Sequence, residues 1–189
     1  MARSRNPAYR EALLTAATRV FAAQGLGAST ASIAREAGVS AGTLFVYFDT
    51  KSALVNDLYV ALKSEMGRVA STGLQAEDST REQLRGMWER WMLWATDDPG
   101  KRRALAHLTV AEELTDDSRS AVHEAYAGIG ELLATITAAG PLRGAPLGFV
   151  STLMSAIADA TIDDLIRDPD PTGARSDLAF DAMWRALAG

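Results

Sequence analysis

Apolar residues recur at spacings of three and four along almost the whole chain, which is the period of an amphipathic helix. Runs of β-branched residues are scarce, and Ala, Leu, Glu and Arg dominate, so the pattern predicts an all-α fold without strands. Clusters of Pro, Gly, Asp and Ser divide this pattern into about nine segments. The predicted helices run over residues 7–24, 30–37, 41–48, 51–69, 80–97, 100–113, 116–138, 146–167 and 175–187.

The segment from Thr30 to Phe48 has the pattern of two short helices that cross at a steep angle. Ala34 is small where the helices approach, and Gly38 can adopt the left-handed backbone that ends the first helix and turns the chain. Val39 and Leu44 are predicted to fill the crossing. Ile33, Ala37 and Phe48 are predicted to face inward, and Ser40, Ala41, Gly42, Thr43 and Tyr47 to face outward. An exposed helix of this kind fits the major groove of DNA.

Here the chain resembles the tetracycline-repressor (TetR) family of transcriptional regulators. About 45 residues match in register, and the rest of the chain matches only in length, helix count and placement of helix breakers. The resemblance implies a three-helix helix-turn-helix domain over 1–52, a connecting helix over 51–69, and a helical ligand-binding and dimerisation domain over 53–189. The matching motifs are Val20-Phe21-Ala-Ala-Gln-Gly25, Thr30-Ala-Ser-Ile-Ala34, Ala37-Gly-Val-Ser40, Gly42-Thr-Leu-Phe45 and Tyr47-Phe48-Asp-Thr-Lys51-Ser-Ala-Leu54.

The resemblance also implies DNA-binding roles by position. Phosphate contacts are expected from Thr30, Ser40, Tyr47 and Lys51, and base contacts from Ala41, Gly42 and Thr43. At position 45 the family often has Tyr, whereas Phe45 cannot donate a hydrogen bond and can contact only sugars or a thymine methyl group. Because the presumed reading face offers few side chains able to make bidentate base contacts, part of the specificity must come from elsewhere.

The charge distribution indicates a second DNA-binding element at the N-terminus. The net charge of −5 argues against binding to nucleic acid only when it is averaged over the whole chain. Residues 1–63 contain seven basic and four acidic residues, a balance of +3, which leaves −8 for the remainder. We hypothesise that Arg3 and Arg5 form an arm that reaches an adjacent minor groove. The alternative is a disordered tail with a general attraction to phosphates.

In the acidic remainder, three tryptophans occupy one predicted helix at spacings of three. Trp88, Trp91 and Trp94 with Met92 concentrate polarisable apolar surface, and the resemblance implies an effector pocket in this part of the chain. The sequence therefore favours a small apolar or aromatic effector, although such a stripe is also typical of ordinary core. Further candidate effector contacts are His107, Met154 and Asp159.

The last two predicted helices have more apolar surface than one packed face requires. Small residues such as Ala156 and Ala160 would allow close helix approach, so these helices are predicted to pair with their symmetry mates in a homodimer. Two-fold symmetry would place two recognition helices on an inverted-repeat operator in double-stranded DNA. Effector binding would then act by a population shift that swings the fourth helix.

Other classes of protein fit the sequence less well. There is no cysteine, no phosphate-cradling loop and no Ser nucleophile in an elbow motif, so neither an enzyme, a cofactor nor a metal site is expected. No signal peptide or membrane-spanning run is recognisable, so a cytoplasmic location without membrane partners is expected. The acidic total charge keeps one alternative open, a helical ligand-binding or protein-binding dimer without specific DNA binding.

Overall fold

The structure, a computed structural model, describes residues 6–73, 75 and 77–189. Across these residues the chain forms ten helices and no strand, which confirms the predicted all-α class. The predicted arm residues Arg3 and Arg5 lie outside the described residues. The helices are α1 (Pro7–Gln24), α2 (Thr30–Glu36), α3 (Ala41–Tyr47), α4 (Lys51–Ser71), α5 (Thr80–Asp97), α6 (Pro99–Thr109), α7 (Asp116–Ala125), α8 (Ala127–Thr137), α9 (Leu147–Arg167) and α10 (Ala174–Ala188).

The segment 116–138, predicted as one helix, forms the two helices α7 and α8, which explains why the described residues hold ten helices rather than about nine. The break falls at Tyr126, whose backbone has φ −105° and ψ 7°. The Tyr126 ring packs on Gly67 of α4, where an added Cβ would lie 2.8 Å from the ring atom Cε2. This contact joins residues far apart in the chain, so local periodicity could not reveal it.

The chain forms two compact units, the first comprising residues 1–64 and 98–122, and the second residues 65–97 and 123–189. In the first unit α1 packs against α2 and α6, and α2 packs against α3. The predicted functional boundary after residue 52 stays a prediction, since packing assigns α6 to the same unit as the first three helices. The centre of this unit is formed by fully buried Leu13, Phe21, Ile33, Leu44 and Phe48.

Asn56 joins α4 to the loop between α6 and α7 within the first unit. Its buried side-chain amide donates to the carbonyl oxygens of Ser52 at 2.9 Å and Glu113 at 2.8 Å. Its carbonyl oxygen accepts from the Thr115 backbone N–H at 2.9 Å and from the Thr115 hydroxyl. Such a satisfied polar network fixes the geometry of the segments it joins. The helix α6 ends at Thr109, before the residues of this network, whereas the sequence predicted that it would continue to residue 113.

In the second unit α5, α8, α9 and α10 pack on one another around Trp88, Val150, Ile162 and Phe180. Arg85 of α5 strengthens the contact with α10, because its guanidinium lies 4.2 Å from the centre of the Phe180 ring and pairs with two carboxylates. None of the helices in the described part of the chain combines the length and apolar character that crossing a bilayer requires.

Candidate nucleic-acid interface

The turn between α2 and α3 has the backbone that the sequence predicted. Gly38 has φ +69°, the left-handed region that glycine enters without steric cost. The Val39 N–H donates to the Ala34 carbonyl at 2.9 Å, which closes the end of α2 and redirects the chain into α3. Leu44 is fully buried at the crossing. The first three helices therefore form a helix-turn-helix with one exposed face of α3.

Serines cap both short helices. The Ser29 hydroxyl accepts from the Ser32 N–H and caps α2, so Thr30 is the first helical residue and lies half-buried beside the cap. The Ser40 hydroxyl accepts from the Thr43 N–H at 3.1 Å and hydrogen-bonds the Thr43 hydroxyl at 2.9 Å. Each cap satisfies one N–H group of its first turn, and the other N–H groups there have no intrahelical partner, which is the arrangement that binds anions at helix N-termini.

The outer face of α3 is open and mostly uncharged. Ser40, Ala41 and Gly42 are exposed, and Thr43 is half-buried and hydrogen-bonded to Ser40. Phe45 is 46 % exposed, a high value for an aromatic residue whose side chain has no polar group. This face can contact sugars, methyl groups and phosphates, but it carries no long polar side chain for bidentate base contacts.

Tyr47 and Lys51 are both anchored by backbone groups. The Tyr47 hydroxyl accepts a hydrogen bond from the Asn6 N–H at 3.0 Å. The Lys51 ammonium group, at the start of α4, donates to the Leu26 carbonyl and thereby fastens the loop between α1 and α2. An ammonium group has three donors, so this bond leaves two for other acceptors.

Two acidic residues near this surface are paired with arginines of α1. Arg10 lies 2.8 Å from Asp57, and Arg19 lies 3.4 Å from Glu36. Exposed pairs of this kind add little stability, typically about 0–1 kcal/mol. Their effect on the surface is electrostatic, since each pair partly cancels a carboxylate that would repel phosphates.

The predicted effector tryptophans lie in the interior of the second unit. Trp88, Trp91 and Trp94 are all buried. The Trp88 indole N–H donates to the Ser176 hydroxyl at 2.9 Å, and the Trp94 N–H donates to the Glu65 carboxylate at 3.1 Å. Two of the three indole groups therefore already have internal partners.

Of the other predicted effector residues, Met92 lines a cleft of about 510 Å³ in the second unit. Met154 is buried and Asp159 half-buried on α9, whereas His107 is exposed on α6 in the first unit. The other walls of this cleft come from distant parts of the chain, so no local pattern in the sequence indicates them. They are Glu89, Leu93 and Thr96 of α5, Leu165 of α9, Pro169, Asp170, Pro171 and Gly173 of the following loop, and Ser176 of α10.

Hydrogen bonds fix the loop wall of this cleft. The backbone N–H of Arg175 and the hydroxyl of Thr172 donate to the Asp170 carboxylate and lower its pKa to about 2. Because the folded pKa is lowered, this carboxylate stabilises the loop at neutral pH and loses that effect only as the pH falls toward about 2. Across the described part of the chain, no group of three or more His, Asp or Glu side chains is placed to hold a metal ion.

Comparison with known proteins agrees with this geometry. Residues 13–58 match the family model of bacterial regulatory proteins of the tetR family. A protein from Shewanella sp. PV-4 described as a tetR family transcription regulator is 26 % identical, with a TM-score of 0.86 over 96 % of this chain and 98 % of that one. A TetR family transcription regulator from Marinobacter aquaeolei VT8 has a TM-score of 0.87 at 22 % identity over 98 % of both chains. FadR from Bacillus subtilis in complex with stearoyl-CoA has a TM-score of 0.72 at 16 % identity over 94 % of this chain and 99 % of that one.

The fold and the helix-turn-helix define a DNA-binding transcription regulator. Residues 13–58 match the DNA-binding segment of the tetR family of bacterial regulatory proteins, and the chain as a whole has the fold of solved tetR family regulators. The matched family model describes regulatory proteins.

Proposed function

We propose that this protein is a homodimeric repressor that binds an inverted-repeat operator through α2 and α3 and is released by a small apolar or aromatic effector. The observation that carries the proposal is the open outer face of α3, held by the Ser40 cap and the buried Leu44. A helix of this size, exposed on one side, enters the major groove of B-DNA.

The proposed contacts fall into two groups. Thr30, Ser40, Tyr47 and Lys51 bind phosphates and set the position of the duplex. Ala41, Gly42, Thr43 and Phe45 meet base edges, methyl groups and sugars.

The proposed dimer forms through α9 and α10. On α9, Val150, Ala158 and Ile162 are fully buried within the chain. A second row on the same helix, here called the outer stripe, comprises Phe149, Leu153, Ala156, Ile157 and Ala160, and Phe149 is 52 % exposed. An apolar row that the chain leaves accessible on a helix already packed on its other side supports pairing with a second copy.

The proposed effector binds in the cleft beside Met92. Its walls are mainly apolar, and its volume of about 510 Å³ falls within the range of small-molecule sites. The complex of FadR with stearoyl-CoA supports an apolar effector, because that protein has the same fold. The protein is released from the operator if the effector favours a state of the protein that binds DNA less well. A coupling free energy of roughly 1–3 kcal/mol between effector binding and DNA binding would weaken operator binding about 5- to 150-fold.

An effector in this cleft should change the emission of Trp88, because Ser176 both lines the cleft and accepts the Trp88 N–H. Leu93→Arg should weaken effector binding at least about tenfold, since Leu93 lines the cleft, is 59 % exposed and can be replaced without disturbing the core. Val110→Arg, at another exposed apolar position, serves as the control. Fluorescence titration with a compound that releases the operator provides the measurement, and equal affinities for both variants would exclude this cleft.

Selection of genomic DNA fragments by the purified protein tests the proposed function. The expected result is enrichment of an inverted repeat that is bound more tightly than random DNA, with an affinity that falls as salt is raised. Equal affinity for the selected and random fragments would instead favour a helical binding dimer without specific DNA recognition.

Deletion of residues 2–5 is expected to lower the ratio of operator affinity to random-DNA affinity about 3- to 10-fold, if Arg3 and Arg5 read a minor groove. Arg5 directly precedes Asn6, whose N–H donates to Tyr47 at the end of α3, so the proposed arm begins beside the recognition helix. Competition binding with both DNAs provides the measurement. An unchanged ratio with a weaker overall affinity would indicate a general phosphate attraction instead.

A further inference from the structure

The beginning of α1 contacts the end of α3 through one hydrogen bond that the sequence analysis did not anticipate. The Asn6 backbone N–H donates to the Tyr47 hydroxyl oxygen at 3.0 Å, across 41 residues of chain. The Asn6 side chain separately caps α1 by accepting from the Ala8 N–H at 3.0 Å. Asn6 therefore makes two distinguishable contacts, one from its backbone and one from its side chain.

The backbone contact determines where the Tyr47 proton can point. A phenol has a single proton and can accept as well as donate. Because the Asn6 N–H occupies an acceptor position on the oxygen, the hydroxyl proton must be directed to another group. A donor bonded to that oxygen also polarises the O–H bond and makes it a stronger donor.

The Tyr47 ring is held as well as its oxygen. The Tyr9 ring lies 6.4 Å from the Tyr47 ring, centre to centre, at an interplanar angle of 44°. Tyr47 itself is half-buried at the last turn of α3. A side chain fixed in this way loses less conformational freedom when it binds a partner.

We propose that Asn6 is a positioning residue for DNA binding, whose backbone amide orients the Tyr47 hydroxyl so that its proton is presented to a DNA phosphate. This inference rests on the proposed function. It gives a role in DNA binding to Asn6, which precedes the segment matched by the family model, residues 13–58. The contact carries no base information, so it strengthens binding to every sequence alike.

Comparison of Asn6→Pro with Asn6→Ala isolates the backbone contact. Both variants lose the side-chain cap, but only Asn6→Pro also loses the N–H. Proline fits the backbone at this position, because Asn6 has φ −73° and ψ 116°. We expect Asn6→Pro to bind the operator about 3- to 10-fold more weakly than Asn6→Ala, since one oriented hydrogen bond is affected in each protomer.

A double-mutant cycle with Tyr47→Phe separates positioning from a general structural effect. In the Tyr47→Phe background, Asn6→Pro and Asn6→Ala should bind operator equally, because the hydroxyl to be oriented is gone. The operator-to-random ratio and the salt dependence should not change in either background, because a neutral hydroxyl displaces no counterion. Additive effects of the two substitutions would overturn the inference.

The amide resonance of Asn6 gives a second readout in the unmodified fold. In the ¹⁵N-labelled chain this resonance should shift on addition of operator DNA, and the shift should disappear in Tyr47→Phe. A resonance that does not move would also overturn the inference. Operator binding with equal Asn6→Pro and Asn6→Ala affinities would overturn this inference alone, whereas a native chain that binds no DNA specifically would overturn the proposed function with it.

Discussion

Replacement of Ala156 by arginine is expected to give a monomer that binds its operator about 100-fold more weakly or worse. Ala156 is exposed in the outer stripe of α9, between half-buried Leu153 and Ile157. A long charged side chain there blocks the close approach of two helices, and in a two-fold interface the substituted charge of each protomer faces the other copy. The buried core of the protomer is untouched, so its fold should persist.

The loss of affinity follows from the loss of the second half-site. Linked recognition helices bind with an effective concentration that separate monomers lack, and such linkage contributes about 10²- to 10⁴-fold. Sedimentation equilibrium measures the dimer, and operator titration at fixed salt measures the affinity. Ala106→Arg, at an exposed alanine of α6, is the matched control and should leave both unchanged. An Ala156→Arg dimer with normal operator binding would refute pairing through the outer stripe.

Gly140→Ala is expected to lower the free energy of unfolding by about 3 kcal/mol, near the upper end of what overpacking usually costs. A Cβ at Gly140 would lie 2.1 Å from the Leu187 carbonyl oxygen and 3.0 Å from Ala188 Cα. Both atoms belong to the backbone of α10, which cannot rotate away as a side chain can. The end of α10 would have to move, and with it the buried Leu187 side chain.

Gly128→Ala provides the matched control for this substitution. Gly128 is the second residue of α8, and a Cβ there would have no neighbouring atom within 4 Å. Alanine should therefore leave the stability unchanged or raise it by at most about 0.5–1 kcal/mol, the difference in propensity at a helix-interior position. Urea unfolding of both variants gives the two free energies, and a Gly140→Ala protein as stable as the native one would contradict the close contact.

The helix-turn-helix was predictable because the contacts that form it are local. Gly38 and the caps act within four or five residues of chain, so their spacing predicts the geometry directly. Asn6 was recognisable only as an Asn before a helix that begins with Pro7, which indicates a cap but not the bond to Tyr47. Contacts between distant segments leave no periodic pattern in the sequence.

The proposed effector cleft shows the same limit. Periodicity placed Trp88, Trp91 and Trp94 correctly on one helix, but whether an indole lines a cavity or belongs to the core depends on its partners. Trp88 is buried against α10 through Ser176 and Phe180, two residues about ninety positions away. The sequence contains these residues without indicating that they meet.

The surroundings of Asn56 accept an amide but not a carboxylate of the same size. Its amide nitrogen faces the carbonyl oxygens of Ser52 and Glu113, while its oxygen faces two donors of Thr115. An aspartate has the same shape, but it would direct an anionic oxygen at two carbonyl oxygens. Spontaneous deamidation replaces this nitrogen with an oxygen, and the resulting carboxylate would repel the loop after α6 from α4. Chemical ageing at this one buried amide would therefore loosen the unit that contains the recognition helix.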